Sequence, residues 1–295
     1  MLNWGGQEGV AAKMRILVTG AKGMLGTDLV PALESAHQVV PADLEQADLT
    51  SWEAAWRLVE GAQPELVIHA AAMTDVDGCE RDPEAAWRHN TLATWHVAAA
   101  CQRLGAALLY LSTDFVFDGT KGGPYHEFDQ PHPLNAYGAS KWAGEVLVRQ
   151  LCPCHYVVRT AWLFGRSGRN FVRTILARAR EGGPLQVVAD QVGSPTYSAD
   201  LAAAIARHLV GNPCYGTYHL TNTGWASWAD LAREAVAAAG LQCPVTEISA
   251  ADWPSPTRRP AMSALEPLAL RLQGRADMRP WQEAVAEMVR GLAAG

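Results

Sequence analysis

The position of the first glycine cluster constrains this chain more than any other feature. Arg15-Ile16-Leu17-Val18-Thr19 is a short, apolar, β-branched run closed by Gly20, and Leu25 to Leu33 then carry apolar residues at helical spacing. Glycines stand at 20, 23 and 26, in the turn between that strand and that helix. With 26 glycines in 295 residues, such a pattern arises by chance about 0.2 times per chain, so its force comes from where it lies. At a first strand-helix junction each glycine has a task. Gly20 makes the tight turn, Gly23 lets backbone approach a diphosphate, and Gly26 lets helix pack on strand, with the N–H groups of Met24 and Leu25 facing the anion.

The same alternation recurs down the chain. Gln38-Val39-Val40, Leu66 to His69, Ala107 to Leu111 and Tyr156 to Thr160 read as further strands. Segments of helical spacing separate them: Trp52 to Val59, Ala85 to Leu104 and Tyr137 to Leu151. Five strands with intervening helices predict right-handed crossovers and a doubly wound parallel α/β sheet of the Rossmann kind. Residues 1–13 read as a tail and 14–160 as a dinucleotide-binding domain. Residues 161–295 read as a smaller, mixed α/β lobe for substrate, some of whose segments return to the first domain. Helices are expected there at about Asn170 to Glu181, Ser198 to Val210, Trp228 to Ala239 and Pro280 to Leu292, and strands at Leu185 to Val188 and Tyr215 to Leu220.

Charge and composition remove several classes of partner. Twenty-four basic against 30 acidic residues leave a net charge of −6, with no footprint for a phosphate backbone or an anionic membrane surface. No stretch approaches the roughly 20 apolar residues of a membrane span, and the N-terminus lacks the pattern of a signal peptide, so a cytoplasmic protein is expected. The six cysteines show no metal-like pairing and read as free thiols, with no metal site.

Asp43 follows the second strand, 23 positions after Gly20, where an acid usually accepts hydrogen bonds from the adenosine ribose. That favours NADH, while Lys22 in the turn keeps NADPH open. Asp48-Leu49 begins the loop expected along the adenine, and Ala70-Ala71-Ala72 end the third strand with residues small enough for backbone to pass close to a cofactor.

Tyr137 and Lys141 stand four apart at a helix start and so share a face. With four lysines and seven tyrosines, that spacing has a chance expectation of about 0.1. A nearby ammonium favours phenolate over phenol, which predicts a lowered Tyr137 pKa and proton exchange with a carbonyl or carbinol oxygen. Ser112-Thr113-Asp114 closes the fourth strand at the sheet's carboxyl edge, where hydroxyls can hold a reacting oxygen.

Together Gly20 to Gly26, Ser112-Thr113-Asp114 and the Tyr137/Lys141 pair resemble the extended short-chain dehydrogenase/reductase superfamily. Further motifs are Ser112 to Gly119, Pro124-Tyr125-x-Glu127, Tyr137-Gly138-x-Ser140-Lys141-x-x-Gly144-Glu145, Arg159 to Trp162, Asp190-Gln191-x-Gly193-Ser194-Pro195-Thr196, Ser227-Trp228 and Arg259-Pro260-x-x-Ser263-x-Leu265. These are similar to the dTDP-4-dehydrorhamnose reductase family over roughly Met14 to Ala286. The resemblance implies reduction of the C4 keto group of dTDP-4-dehydro-L-rhamnose by NADPH or NADH. It implies Tyr137 as proton donor, Lys141 on the nicotinamide ribose and depressing the tyrosine, and Asn90 supporting the lysine. Thr113, Asp114 and Trp162 would contact the sugar. Asp190 to Thr196 and Arg258-Arg259 are further candidates for the diphosphate or base. Phe115, where the family often has tyrosine, and Met73, where it often has an aromatic, depart from the pattern without removing a catalytic group.

Two competing readings share the scaffold. One is a reductase or epimerase of another nucleotide sugar; a dehydratase would need an acid where Phe115 stands. The other is a non-catalytic subunit like the regulatory subunit of methionine adenosyltransferase, since fold alone does not separate scaffold from enzyme. A nucleotide sugar is the expected partner, a homodimer stays open, and neither nucleic acid nor membrane is expected.

Overall fold

A computed structural model describes residues 13–293, so the expected tail, Lys13 apart, lies outside the described residues. The strands are β1 (Arg15–Thr19), β2 (Gln38–Ala42), β3 (Leu66–His69), β4 (Ala107–Thr113), β5 (His155–Thr160), β6 (Leu163–Phe164), β7 (Leu185–Val188), β8 (Val192–Gly193), β9 (Thr196–Tyr197), β10 (Gly216–His219), β11 (Ala226–Ser227) and β12 (Val245–Ile248). The helices are α1 (Met24–Glu34), α2 (Trp52–Ala62), α3 (Val76–Arg81), α4 (Pro83–Ala86), α5 (Ala93–Leu104), α6 (Ala136–Leu151), α7 (Phe171–Glu181), α8 (Ser198–His208), α9 (Trp228–Ala238), α10 (Leu268–Leu272) and α11 (Trp281–Ala293).

Six strands form one parallel sheet in the order β10-β5-β4-β3-β1-β2. Alternate residues of its central strands feed two separate helix layers, as a period of two requires. Ile16, Val18, Ile68 and Leu109 pack with Leu25, Leu29 and Leu33 of α1 and Leu201 and Ile205 of α8. Leu17, Val67, Leu108 and Tyr110 face the other way, onto Val59 of α2, Val97 and Cys101 of α5 and Val148 of α6. With both faces covered, β1, β3 and β4 read as unbroken apolar runs rather than as alternation. The chain moves outward in opposite directions from β1 and β3, so their carboxyl ends mark the switch point at which such sheets bind ligands.

The later residues build a third core from α7, α9, α11, β7 and β9, among them Val172, Leu176, Leu231, Val285 and Met288. They also return to the first body: β10 extends the sheet beside β5, and α8 lies on α1. The segment expected as one helix from Ala85 to Leu104 is divided. α4 runs into a π-turn at Trp87–Leu92 before α5 begins. Such turns tend to accompany functional sites, and this one holds Asn90 buried.

A buried ionic cluster ties α6 to the sheet. Glu145, fully buried, accepts from Arg159 Nε at 2.9 Å and Nη2 at 2.8 Å, from Ser112 Oγ at 2.6 Å and from Arg149 at 2.7 Å. Burial pushes this carboxyl up, but the guanidiniums outweigh it and hold it below its ordinary value. Glu145→Ala would leave Arg159 buried without a counter-charge, and a loss of about 3–5 kcal/mol is expected in urea unfolding.

Candidate active site

The glycine turn lies where the sheet's switch point predicts. Gly20 has φ +72°, and a Cβ there would stand 2.7 Å from the Ala71 nitrogen; a Cβ on Gly26 would stand 2.3 Å from the Gly20 carbonyl oxygen. Only glycine permits this closeness among turn, Ala70-Ala71-Ala72 and helix. α1 starts at Gly23 with no side-chain cap and no acid in its first turn, so the N–H groups of Met24 and Leu25 are left for an anion. Asp43 clamps the turn from beneath: its Oδ2 accepts from the Lys22 N–H at 2.8 Å and its Oδ1 from the Leu44 N–H at 2.9 Å. The Lys22 ammonium instead reaches Glu45, 2.8 Å away in solvent.

One cleft of about 1010 Å³ joins this turn to the end of β4 and the start of α6. Gly20, Gly23, Met24, Leu25, Gly26, Asp43, Asp48, Leu49 and Ala70 to Ala72 line one part; Thr113, Asp114, Tyr137, Lys141 and Trp162 line the rest. These candidates for cofactor, catalysis and sugar therefore border the same space, whereas Asn90, Asp190 to Thr196 and Arg258 do not line it. The residues present fit a dinucleotide, because the cradle is one that a Cβ would fill and its helix terminus is uncapped.

Asn135 caps α6, its Oδ1 accepting the Gly138 N–H at 2.8 Å, and this sets Tyr137 and Lys141 at the cleft. Thr113 donates to Asp114 Oδ1 at 3.0 Å and accepts the Phe115 N–H at 3.2 Å; Ser263, from the later lobe, donates to Asp114 Oδ2 at 2.5 Å. Asn90 holds Met73 through both N–H (2.8 Å) and carbonyl (3.1 Å) and donates to Ser140 Oγ at 3.0 Å. Asn90 therefore meets the turn of α6 that carries Lys141, and none of these bonds goes to the lysine itself.

The electrostatics correct one expectation. Burial pushes the Tyr137 phenol above its ordinary value; the Thr113 hydroxyl pulls it down, and Asp114 and Cys79 add to the rise. The lowering expected from Lys141 does not dominate, because a buried phenol pays heavily for ionising and the ammonium itself is buried, 4.2 Å from the centre of the Tyr110 ring. Burial takes Lys141 down to about 7, against the raising influence of Glu145 and Cys79. Burial also lifts Asp114 to about 7, although Ser263 and Thr113 hydrogen-bond its carboxylate.

Trp162 adopts φ +45°, a conformation that bulky side chains avoid, and its indole stacks on Trp228 at 3.5 Å and 3°. The pair walls the cleft, together with Arg169, His89 and Arg259. Arg259 pairs with Asp77 at 2.8 Å. Asp190 turns elsewhere, bonding Ser249 Oγ at 2.7 Å and the Ala250 N–H at 2.8 Å, and the Arg258 carbonyl accepts from Asn135; neither borders the cleft. Sequence reasoning missed Arg169 and His89, which are isolated residues without a spacing signal.

Lys141 carries a stability consequence of definite sign. Below pH 7 both folded and unfolded chains hold its proton, and only the folded chain bears the cost of burying it. Between pH 7 and 10.5 the unfolded chain keeps the proton that the folded chain has lost, so stability rises with pH; above 10.5 the difference is gone. Lys141→Met is therefore expected to stabilise the fold by roughly a few kcal/mol at pH 7 and below, the gain fading toward pH 10.5 in denaturant titrations.

The RmlD substrate binding domain family matches residues 14–294. A dTDP-4-dehydrorhamnose reductase of Burkholderia thailandensis is 40% identical over 95% of this chain and 99% of its own. One of Aggregatibacter actinomycetemcomitans is 39% identical over 92% of this chain and 97% of its own. The crystal structure of the Bacillus anthracis dTDP-4-dehydrorhamnose reductase in complex with NADP superposes with a TM-score of 0.92 at 38% identity, covering 95% of this chain and 99% of that one. Sequence and structure agree along nearly the whole length: the chain belongs to the dTDP-4-dehydrorhamnose reductase family.

Proposed function

We propose that the protein reduces the C4 keto group of dTDP-4-dehydro-L-rhamnose to give dTDP-L-rhamnose, using a nicotinamide dinucleotide. The observation that carries this reading is the single cleft in which an anion-ready helix terminus stands beside Thr113, Tyr137 and Lys141. The relatives' shared name supplies the nucleotide sugar, and the NADP of the Bacillus anthracis complex supports the cofactor.

The bound reduced dinucleotide supplies hydride to the keto carbon. Tyr137, kept protonated by burial, gives its phenolic proton to the keto oxygen, so carbon and oxygen together gain the two hydrogens of the alcohol. Thr113, its hydroxyl proton turned from Asp114 to that oxygen, stabilises it as charge develops, and Lys141 stabilises the phenolate left behind. Asp114, whose carboxyl burial raises to about 7, can exchange a hydrogen bond with the sugar, and the Trp162–Trp228 stack offers it a flat wall. Residues 14–160 hold the dinucleotide in this reading, and the later residues hold the sugar nucleotide. Asp43 serves the adenosine ribose and favours NADH, while Lys22, exposed and paired to Glu45, leaves NADPH usable.

A non-catalytic scaffold is not favoured, because it has no use for an aligned Thr113, Tyr137 and Lys141 in a cofactor-sized cleft. A water-soluble nucleotide-sugar substrate and a nicotinamide dinucleotide support a cytoplasmic reaction; among the described residues no helix is long and apolar enough to cross a membrane. Sedimentation tests whether the protein is a homodimer.

The reading is tested by following the near-ultraviolet absorbance of reduced nicotinamide with the keto sugar nucleotide, NADH and NADPH supplied separately. Substrate-dependent oxidation is expected with wild type. Tyr137→Phe should lower turnover by about 10²–10⁴-fold while dinucleotide binding, read by fluorescence, holds; undiminished turnover would sink the mechanism.

A further inference from the structure

Lys141 lies almost wholly inside the protein, and the carboxylate on its own helix face, Glu145, is occupied by Arg159, Arg149 and Ser112. What its ammonium meets is the face of Tyr110, 4.2 Å from the ring centre. That ring is fully buried on β4 and held from three sides. Its hydroxyl donates to the Lys141 carbonyl at 3.4 Å. The helix turn above it is opened by Gly144, where a Cβ would lie 2.4 Å from that hydroxyl. His69 stacks against it at 5.8 Å and 28°, pinned by Thr19 at 2.7 Å and Thr94 at 3.2 Å. Burial, with Lys141 nearby, pushes His69 down to about 3, so no second cation competes for the ring.

We propose that Tyr110 is a positioning residue whose ring face holds the Lys141 ammonium, charged and at fixed depth, for its work beside Tyr137. The inference rests on the catalytic reading of Tyr137 and Lys141 given above. An aromatic face suits the place better than a carboxylate. It attracts a cation through its negative quadrupole, yet it brings no full negative charge to oppose the phenolate that proton donation leaves on Tyr137. The titratable groups facing Lys141 are His69 on β3, Tyr110 on β4, Cys79 on α3 and Glu145 on α6, with Tyr137 one turn earlier on the same helix.

The test is a pH titration of Lys141 in the full chain without dinucleotide or substrate, read by NMR of lysine labelled at Cε. The chain has four lysines, and Lys141→Arg identifies the signal. Tyr110→Leu is expected to lower the midpoint by about one pH unit, a tenfold loss of proton affinity, and to reduce kcat more than it raises substrate KM. Tyr110→Phe, which keeps the face and loses only the hydroxyl, should restore the wild-type midpoint. If Tyr110→Leu does not fold, ring-fluorinated tyrosine incorporated into the wild-type chain weakens the same face and should lower the same midpoint. A midpoint unmoved by leucine or fluorination, or moved as far by phenylalanine as by leucine, overturns the proposal. Because the titration needs no turnover, it stands apart from the Tyr137→Phe assay: retained turnover there would remove the catalytic reading and leave the Tyr110–Lys141 contact to be judged by NMR.

Discussion

The carboxylate of Glu145 is the point on which the site's geometry depends. It joins three elements: Arg159 at the end of β5, Ser112 at the end of β4, and α6 itself. Tyr137 and Lys141 lie two turns and one turn earlier on the same helix, and Thr113 follows Ser112. A charge pair sealed from water is costly to form and worse to break, which makes it a weak source of net stability but a strict determinant of position. Here it holds the start of α6 against the carboxyl edge of β4, so that a phenol, an ammonium and a hydroxyl open onto one cleft.

The same burial that makes this clamp strict also sets the chemistry. A partly exposed tyrosine beside a lysine would be expected to lean toward phenolate. In this interior desolvation outweighs the neighbouring charge, and Tyr137 keeps its proton, as the proposed reduction requires of its acid. Lys141 is brought down toward neutrality for the same reason, and Asp114 is brought up toward it. All three shifts raise the cost of charge before the reaction, and hydrogen bonds from Thr113 and Ser263 moderate it.

The later lobe completes the site instead of merely facing it. Ser263 reaches Asp114, Arg259 pairs with Asp77, and Trp228 supports the strained Trp162. The same later residues supply β10 and α8, which are built into the first body.

Local order was legible in the sequence because its causes are local. The run Arg15 to Thr19, the three glycines and the apolar spacing of Leu25 to Leu33 determine a strand, a turn and a helix whatever surrounds them. The Tyr137 and Lys141 spacing determines that their side chains share a face. Sequence alone also identified Asp43, Ala70 to Ala72 and Trp162 as candidates, by position relative to strand ends and by resemblance. It did not contain the π-turn around Asn90, the placement of Arg169 and His89 in the cleft, the diversion of Asp190 to Ser249, or the direction of the Tyr137 shift. Each of these depends on which distant segments exclude water from a group. Desolvation is a property of the assembled interior, so tertiary structure alone decided whether the charge of Lys141 or the burial of Tyr137 would prevail.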